Sequence, residues 1–221
     1  RLLSRSTDSS EGHLLSVDAE ARAGMFAGDG EQFNFCFWEI NELGDIWEPM
    51  QSTVPETTNY GGRSFVVRWE KEQGAIARLA DSVKHLNHAA QNWRRGKPLW
   101  GKTGIAVSLM GDLPCTLYTG EIYDMNCCAL VPKDPSGFRA LWNFCNSGKF
   151  SELVREIDKS LKLTPKTLLK IHWNPDEWKP GSMSDEVAIP EVYSSDPTQW
   201  IFHGHPGSCA EDLVLQVALA R

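Results

Sequence analysis

A mixed α+β fold, small mixed β-sheets backed by helices, is what this sequence predicts, and three observations predict it. Residues 103–109, 115–119 and 126–132 are short β-type segments, rich in Ile, Val, Leu and Cys and separated by turn residues. A compact helical pair follows at 137–146 and 149–159, with the short step Thr164-Pro165 behind it. Nine Trp and nine Phe are a heavy load of large aromatics, which build cores and contact surfaces.

A chain of 221 residues can bury a full core as one large domain or two small ones. The division expected is a lead-in segment at 1–23, partly disordered, then an α/β domain at 24–172. An irregular crossing and a C-terminal helix at 173–221 would pack on that same domain. No apolar run approaches the roughly 20 residues that span a bilayer, and no signal-peptide pattern opens the chain, so no membrane partner is expected. The six cysteines show neither a CxxC pair nor zinc-type spacing, which suits reduced, mostly buried thiols in a cytoplasmic protein. The net charge of −7 argues against phosphate-driven binding by the chain as a whole, although a local basic face on an acidic body is compatible with it.

In chain order, Arg5-Ser-Thr-Asp-Ser-Ser-Glu-Gly12 is polar and turn-rich. Phe33-Asn-Phe-Cys-Phe-Trp-Glu-Ile40 predicts a buried strand, bounded by Gly28-Asp-Gly30. Residues 49–62, with Pro55 and Gly61-Gly62, predict a long polar loop of the kind that is functional or mobile. Arg63-Ser-Phe-Val-Val-Arg-Trp69 alternates as a strand, with Phe65, Val67 and Trp69 on one face. Ile76, Leu79, Ala80, Val83, Leu86, Ala90 and Trp93 then follow helical spacing, closed by Gly96 and Pro98.

Met110-Gly-Asp-Leu-Pro114 predicts a turn, and 120–125 a connection into the next strand. The stretch Asn126-Cys-Cys-Ala-Leu-Val-Pro132 has no polar face and should be central, with Cys127 and Cys128 pointing to opposite sides. Phe150, Leu153, Val154, Ile157 and Leu161 form the apolar stripe of the second helix of the pair. Beyond Trp173, Pro, Gly, Ser and acids predict an irregular crossing, followed by an amphipathic helix at 211–220.

No pattern of residues completes a catalytic site. The sequence has no G-x-S-x-G elbow and no GxxxxGK phosphate loop, and Gly28-Asp-Gly30 is too short for a dinucleotide fingerprint. His85 and His88 lie three apart without an acidic partner. His203, His205 and Cys209 are denser and would bind zinc if a fourth ligand arrived, but a turn fixed by Pro206 and Gly207 explains them too. The nucleic-acid signal is Arg94, Arg95, Lys97 and Lys102 around Trp93 and Trp100. Cations there can reach phosphates or guanine edges, and the tryptophans can stack or merely anchor. A cationic cluster at a helix C-terminus accounts for the same four residues.

Several stretches carry a resemblance to a known family. Gly24-Met-Phe-Ala-Gly-Asp-Gly-Glu-Gln-Phe33 with Trp38-Glu-Ile40 resembles a G-x-x-T-G-D-N-x-x-F … W-x-E-V segment, with Ala27 and Gly30 in place of the usual Thr and Asn. Tyr60-Gly-Gly-Arg-Ser-Phe-Val-Val-Arg-Trp-Glu70 is similar to Y-G-x-x-x-x-V-V-x-W-E. The order 103–132, then Leu141-Trp-Asn-Phe-Cys-Asn-Ser-Gly-Lys-Phe150, then 163–171, follows strands leading to a helix with an N-S-x-x-F-like turn and a Thr-Pro step. Asp196-Pro-Thr-Gln-Trp-Ile-Phe-His-Gly-His-Pro206 is similar to a run at the end of the same region.

The family is that of large bacterial amino-adenine DNA methyltransferases, of the type IIG restriction-modification and BREX- or DISARM-like phage-defence kinds, in their target-recognition region. The resemblance implies a target-recognition-domain-like fold and double-stranded DNA as partner. Arg94, Arg95, Lys97, Lys102, Arg63 and Asn59 would then be the DNA-binding residues. These enzymes also carry a glycine-rich S-adenosylmethionine loop and an Asn-Pro-Pro or Asp-Pro-Pro catalytic motif ending in Tyr or Phe. Neither is present, and Asn174-Pro-Asp-Glu177 lacks the second proline and the aromatic. The expectation is therefore a sequence-reading piece of a longer polypeptide, with S-adenosylmethionine and the catalytic methylase domain in the remainder. The alternatives are a protein-interaction domain of a defence complex, marked by an exposed aromatic patch, and a zinc-dependent hydrolase or nuclease.

Overall fold

The structure is a computed structural model that describes residues 12–86 and 92–179. Its architecture is α+β, as the sequence predicts. In chain order the strands are β1 (His13–Leu14), β2 (Ala19–Ala23), β3 (Asn34–Cys36), β4 (Trp47–Gln51), β5 (Phe65–Arg68), β6 (Gly104–Ser108), β7 (Cys115–Tyr118), β8 (Ile122–Tyr123), β9 (Cys127–Pro132) and β10 (His172–Trp173). The helices are α1 (Gly30–Phe33), α2 (Ala75–Val83), α3 (Phe138–Asn146), α4 (Lys149–Ile157) and α5 (Pro165–Leu168).

The central sheet has the order β2-β9-β6-β7, antiparallel throughout. Every residue of β6, β7 and β9 is buried, because both faces of the sheet are covered. On one face Ile105, Val107, Cys128 and Leu130 pack under α3, α4 and α5, against Leu141, Phe144, Phe150 and Leu168. On the other, Ala106, Cys127 and Ala129 are small enough to admit Tyr118, Tyr123 and Leu99. Cys127 and Cys128 do point to opposite sides, as strand alternation requires. Gly148, at φ +81°, takes the left-handed turn that separates α3 from α4. Phe144 and Phe150 then close edge to face across the joint at 5.8 Å.

A second four-stranded sheet, β3-β5-β4-β8, takes three strands from earlier in the chain and β8 from between β7 and β9, and β8 pairs with β4 in parallel. Val67 and Trp69 face a cluster with Phe33, Met50, Ile76 and Trp93, and Phe65 packs against it, so the expected face of β5 is correct.

Several elements differ from the sequence expectation. Residues 33–40 do not make one strand. Asp29 caps α1 by accepting from Gln32 N–H, and Glu39 reaches back to Cys36 N–H at 2.6 Å, so carboxylate-capped turns leave only three residues for β3. Part of the expected 49–62 loop is β4. Its Pro49 is tolerated because β8 pairs only with Met50 and Gln51, which leaves Pro49 beside an open edge. The 120–125 connection supplies β8, which was not expected.

Residues 13–23, expected to be a lead-in segment, hold β1 and β2, and β2 is an edge of the central sheet. The short alanines Ala19 and Ala23 sit inside, while Glu20 and Arg22 face outward and pair at 2.8 Å. Leu86 and Leu161, expected on apolar stripes, are exposed because α2 ends at Val83 and α4 at Ile157. The start of the expected crossing is packed: Trp178 lies 5.2 Å from the Phe144 ring, and its carbonyl accepts from Asn143. The remainder of the crossing and the C-terminal helix lie outside the described residues.

Candidate nucleic-acid interface

The connection that carries Trp93, Arg94, Arg95, Lys97 and Lys102 leads from α2 into β6. Trp93 is buried; Trp69 lies 5.2 Å from both Trp93 and Trp100, so these indoles anchor the core of the second sheet. The Arg94 guanidinium lies over the Trp93 ring at 4.1 Å and 3.5 Å from Glu72. Lys97 donates to both oxygens of Glu72, at 2.5 and 2.6 Å. Arg95 donates to the Gly24 carbonyl at 3.2 Å, tying the connection to the end of β2. Lys102 is exposed and has no carboxylate partner among the described residues.

Glu72 is positioned by an unusual piece of backbone. Glu70, Lys71 and Glu72 all have positive φ, a conformation that costs side-chain-bearing residues about 1–2 kcal/mol each. Glu70 supports the turn by accepting from Ala75 N–H at 2.6 Å, at the start of α2. That bond and nearby arginines hold its carboxyl below the ordinary range, outweighing an opposite push from burial.

Arg63 is a correction to its expected place at a DNA surface, because its side chain is fully buried. It pairs with Glu121 at 3.1 Å and donates to the carbonyls of Leu117 and Gly61 at 2.7 and 3.3 Å. Burial pushes the Glu121 carboxyl up, but the guanidinium and the bonds from Thr119 and Arg63 outweigh it and hold the group below its ordinary range. Asn59 is exposed, while its carbonyl accepts from Leu117 N–H and the Thr116 hydroxyl, both at 3.2 Å. With Thr57 accepting from Cys115 N–H and Thr58 donating to the Cys115 carbonyl, the 53–62 segment is strapped along the free edge of β7. A long polar loop is thereby hydrogen-bonded to the sheet.

Between that strap and the turn after β6 runs a groove lined by Thr53, Thr57, Ser108, Asn126, Glu56 and Asp112. Lys162 stands at its rim and donates to the Asn126 side-chain oxygen at 2.8 Å. Sequence reasoning passed over Lys162 and its neighbours Lys159, Lys166 and Lys170. The available signal was the absence of any acid from Lys159 to Pro175.

His203, His205 and Cys209 lie outside the described residues, as does His88, while His85 is exposed. Among the described residues no group of three His, Cys, Asp or Glu side chains is placed to hold a metal ion. Asn174 caps a short turn through Asp176 N–H and bonds Glu177, so its amide is committed to local structure and the stretch does not fit a methyl-transfer site. Among the described residues no helix is long and apolar enough to cross a membrane. Compared with known proteins, the chain matches no protein-family model and no curated protein.

Proposed function

We propose that this chain is the DNA sequence-recognition region of a larger adenine-specific methyltransferase of the restriction-modification or phage-defence type, working on duplex DNA in the cytoplasm. S-adenosylmethionine and the groups that flip and methylate adenine would belong to the catalytic methylase domain of the same polypeptide. No chemical step is assigned to the residues described here.

The observation that carries the reading is the pairing of two stretches that bear the family resemblance separately. Phe33 of the first stretch packs with Val67 and Trp69 of the second in one buried cluster, and Ile40 and Trp38 pack with Val66 in another. Two stretches separated by residues 41–59 thus meet in two buried clusters. The protein-interaction alternative has less support. The large exposed apolar side chains among the described residues are aliphatic, not an aromatic patch.

The test is to express the complete reading frame in a methylation-free host and map N6-methyladenine in its DNA. Modification in one sequence context, with that context changed when this region is exchanged for a homologous one, is the expected result. An unmodified genome, or a context indifferent to the exchange, would sink the reading.

A further inference from the structure

We infer that the DNA-contacting face is the lysine ribbon Lys159, Lys162, Lys166 and Lys170 with the groove beside it, at the far end of the central sheet from the tryptophan connection; this rests on the DNA-recognition reading above. The two places lie beyond opposite ends of β6: Lys102 precedes Gly104, and Met110, which bridges to Lys162, follows Ser108.

The ribbon is a built surface. Buried residues Leu163, Thr167, Leu168 and Ile171 pin it to the core, while all four lysines face solvent. Its backbone is fixed by Leu163 N–H donating to Leu109 O at 2.9 Å and Lys170 N–H to Thr167 O at 3.1 Å. Lys159, Lys162, Lys166 and Lys170 are therefore four exposed ammonium groups on one fixed segment.

The electrostatics separate these lysines from Lys97 and Arg94 of the connection. Lys97 and Arg94 are engaged by Glu72, whereas Lys159, Lys166 and Lys170 have no carboxylate partner among the described residues. Asp158, at the head of the ribbon, accepts from Ser160 N–H at 2.9 Å and from Thr167, so it is held to its own turn. On a chain of net charge −7, exposed lysines without a carboxylate partner are where a polyanion can gain.

Charge complementarity commits the occupant to duplex DNA. The exposed ammonium groups suit backbone phosphates. The adjoining groove offers the amide of Asn126 and hydroxyls of Ser108, Thr53 and Thr57, which both donate and accept towards base edges. Glu56 and Asp112 in the same groove would repel phosphate but can accept from a cytosine amino group, so the groove reads bases while the ribbon holds backbone.

The experiment measures binding of the 221-residue chain to a fluorescein-labelled mixed-sequence duplex by anisotropy across a series of salt concentrations. The wild type is compared with a Lys159→Gln, Lys166→Gln, Lys170→Gln triple variant and an Arg94→Gln, Lys97→Gln double variant. All five side chains reach solvent, and unchanged thermal melts confirm the fold. The expected result is a triple variant whose log-log salt slope is flatter by about three units, with the double variant close to wild type. A triple variant that keeps the full slope while the double variant loses it would overturn the ribbon and leave DNA recognition standing. A wild-type chain that binds no duplex even at the lowest salt would overturn both.

Discussion

Both carboxylate oxygens of Glu72 accept from the Lys97 ammonium, at 2.5 and 2.6 Å, and Arg94 approaches the same carboxylate at 3.5 Å. Two of the four cations of the connection are thus engaged by a residue 25 positions upstream of Lys97. Because Lys97 is half exposed, the pairing contributes little to stability. Glu72→Gln should cost less than about 1 kcal/mol in urea unfolding. A loss above about 3 kcal/mol would instead mark the pair as a structural keystone.

Arg63 and Glu121 form the opposite kind of pair, buried on both sides. Removing one partner strands a charge, so Arg63→Met or Glu121→Leu alone should cost about 3–5 kcal/mol, and the double variant should recover much of that. The pH dependence follows from the depressed Glu121 carboxyl. A group whose folded pKa lies below its unfolded value stabilises above the unfolded pKa, about 4.3 for Glu, and loses that contribution as pH falls through the folded value. Wild-type unfolding free energy should therefore drop on acidification below about pH 5 more steeply than that of Glu121→Gln. Parallel pH profiles for the two proteins would show that the pair is not formed.

Gly24 opens the first stretch of the family resemblance, and its place explains the choice of residue. A Cβ there would overlap the carbonyl oxygens of Tyr123 and Asp124, both backbone atoms. Gly24→Ala should destabilise by at least about 1–3 kcal/mol, because neither carbonyl can swing aside. Gly137→Ala is the control: its nearest neighbour is the Pro132 side chain at 3.7 Å and its φ of −75° suits any residue. It should be neutral or stabilising by up to about 1 kcal/mol. Equal melting points for the two variants would contradict the packing at Gly24.

Four thiols, Cys115, Cys127, Cys128 and Cys145, are buried in the central sheet and α3. Burial pushes Cys127, Cys128 and Cys145 up, away from the reactive thiolate. Peptide mass spectrometry after iodoacetamide treatment should find all four unmodified in the native protein and modified in denaturant. Native-state alkylation at any of them would show that the sheet opens.

What the sequence determined by itself was what local chemistry determines. Alternation placed Val67 and Trp69 on one face and split Cys127 from Cys128, because a strand has period two whatever surrounds it. The run from Cys127 to Pro132, with no polar face, announced a strand covered on both sides. The absence of acid from Lys159 to Pro175 is equally legible in the chain. Tertiary structure alone decided which cations are free. Arg63 follows two glycines and resembles a loop cation until Glu121, 58 residues later, meets it in the core. Lys97 is cancelled by Glu72 through a left-handed turn that no periodicity announces. Ion pairing depends on distance in space and on the dielectric around it, and neither is written in the spacing of residues along a chain.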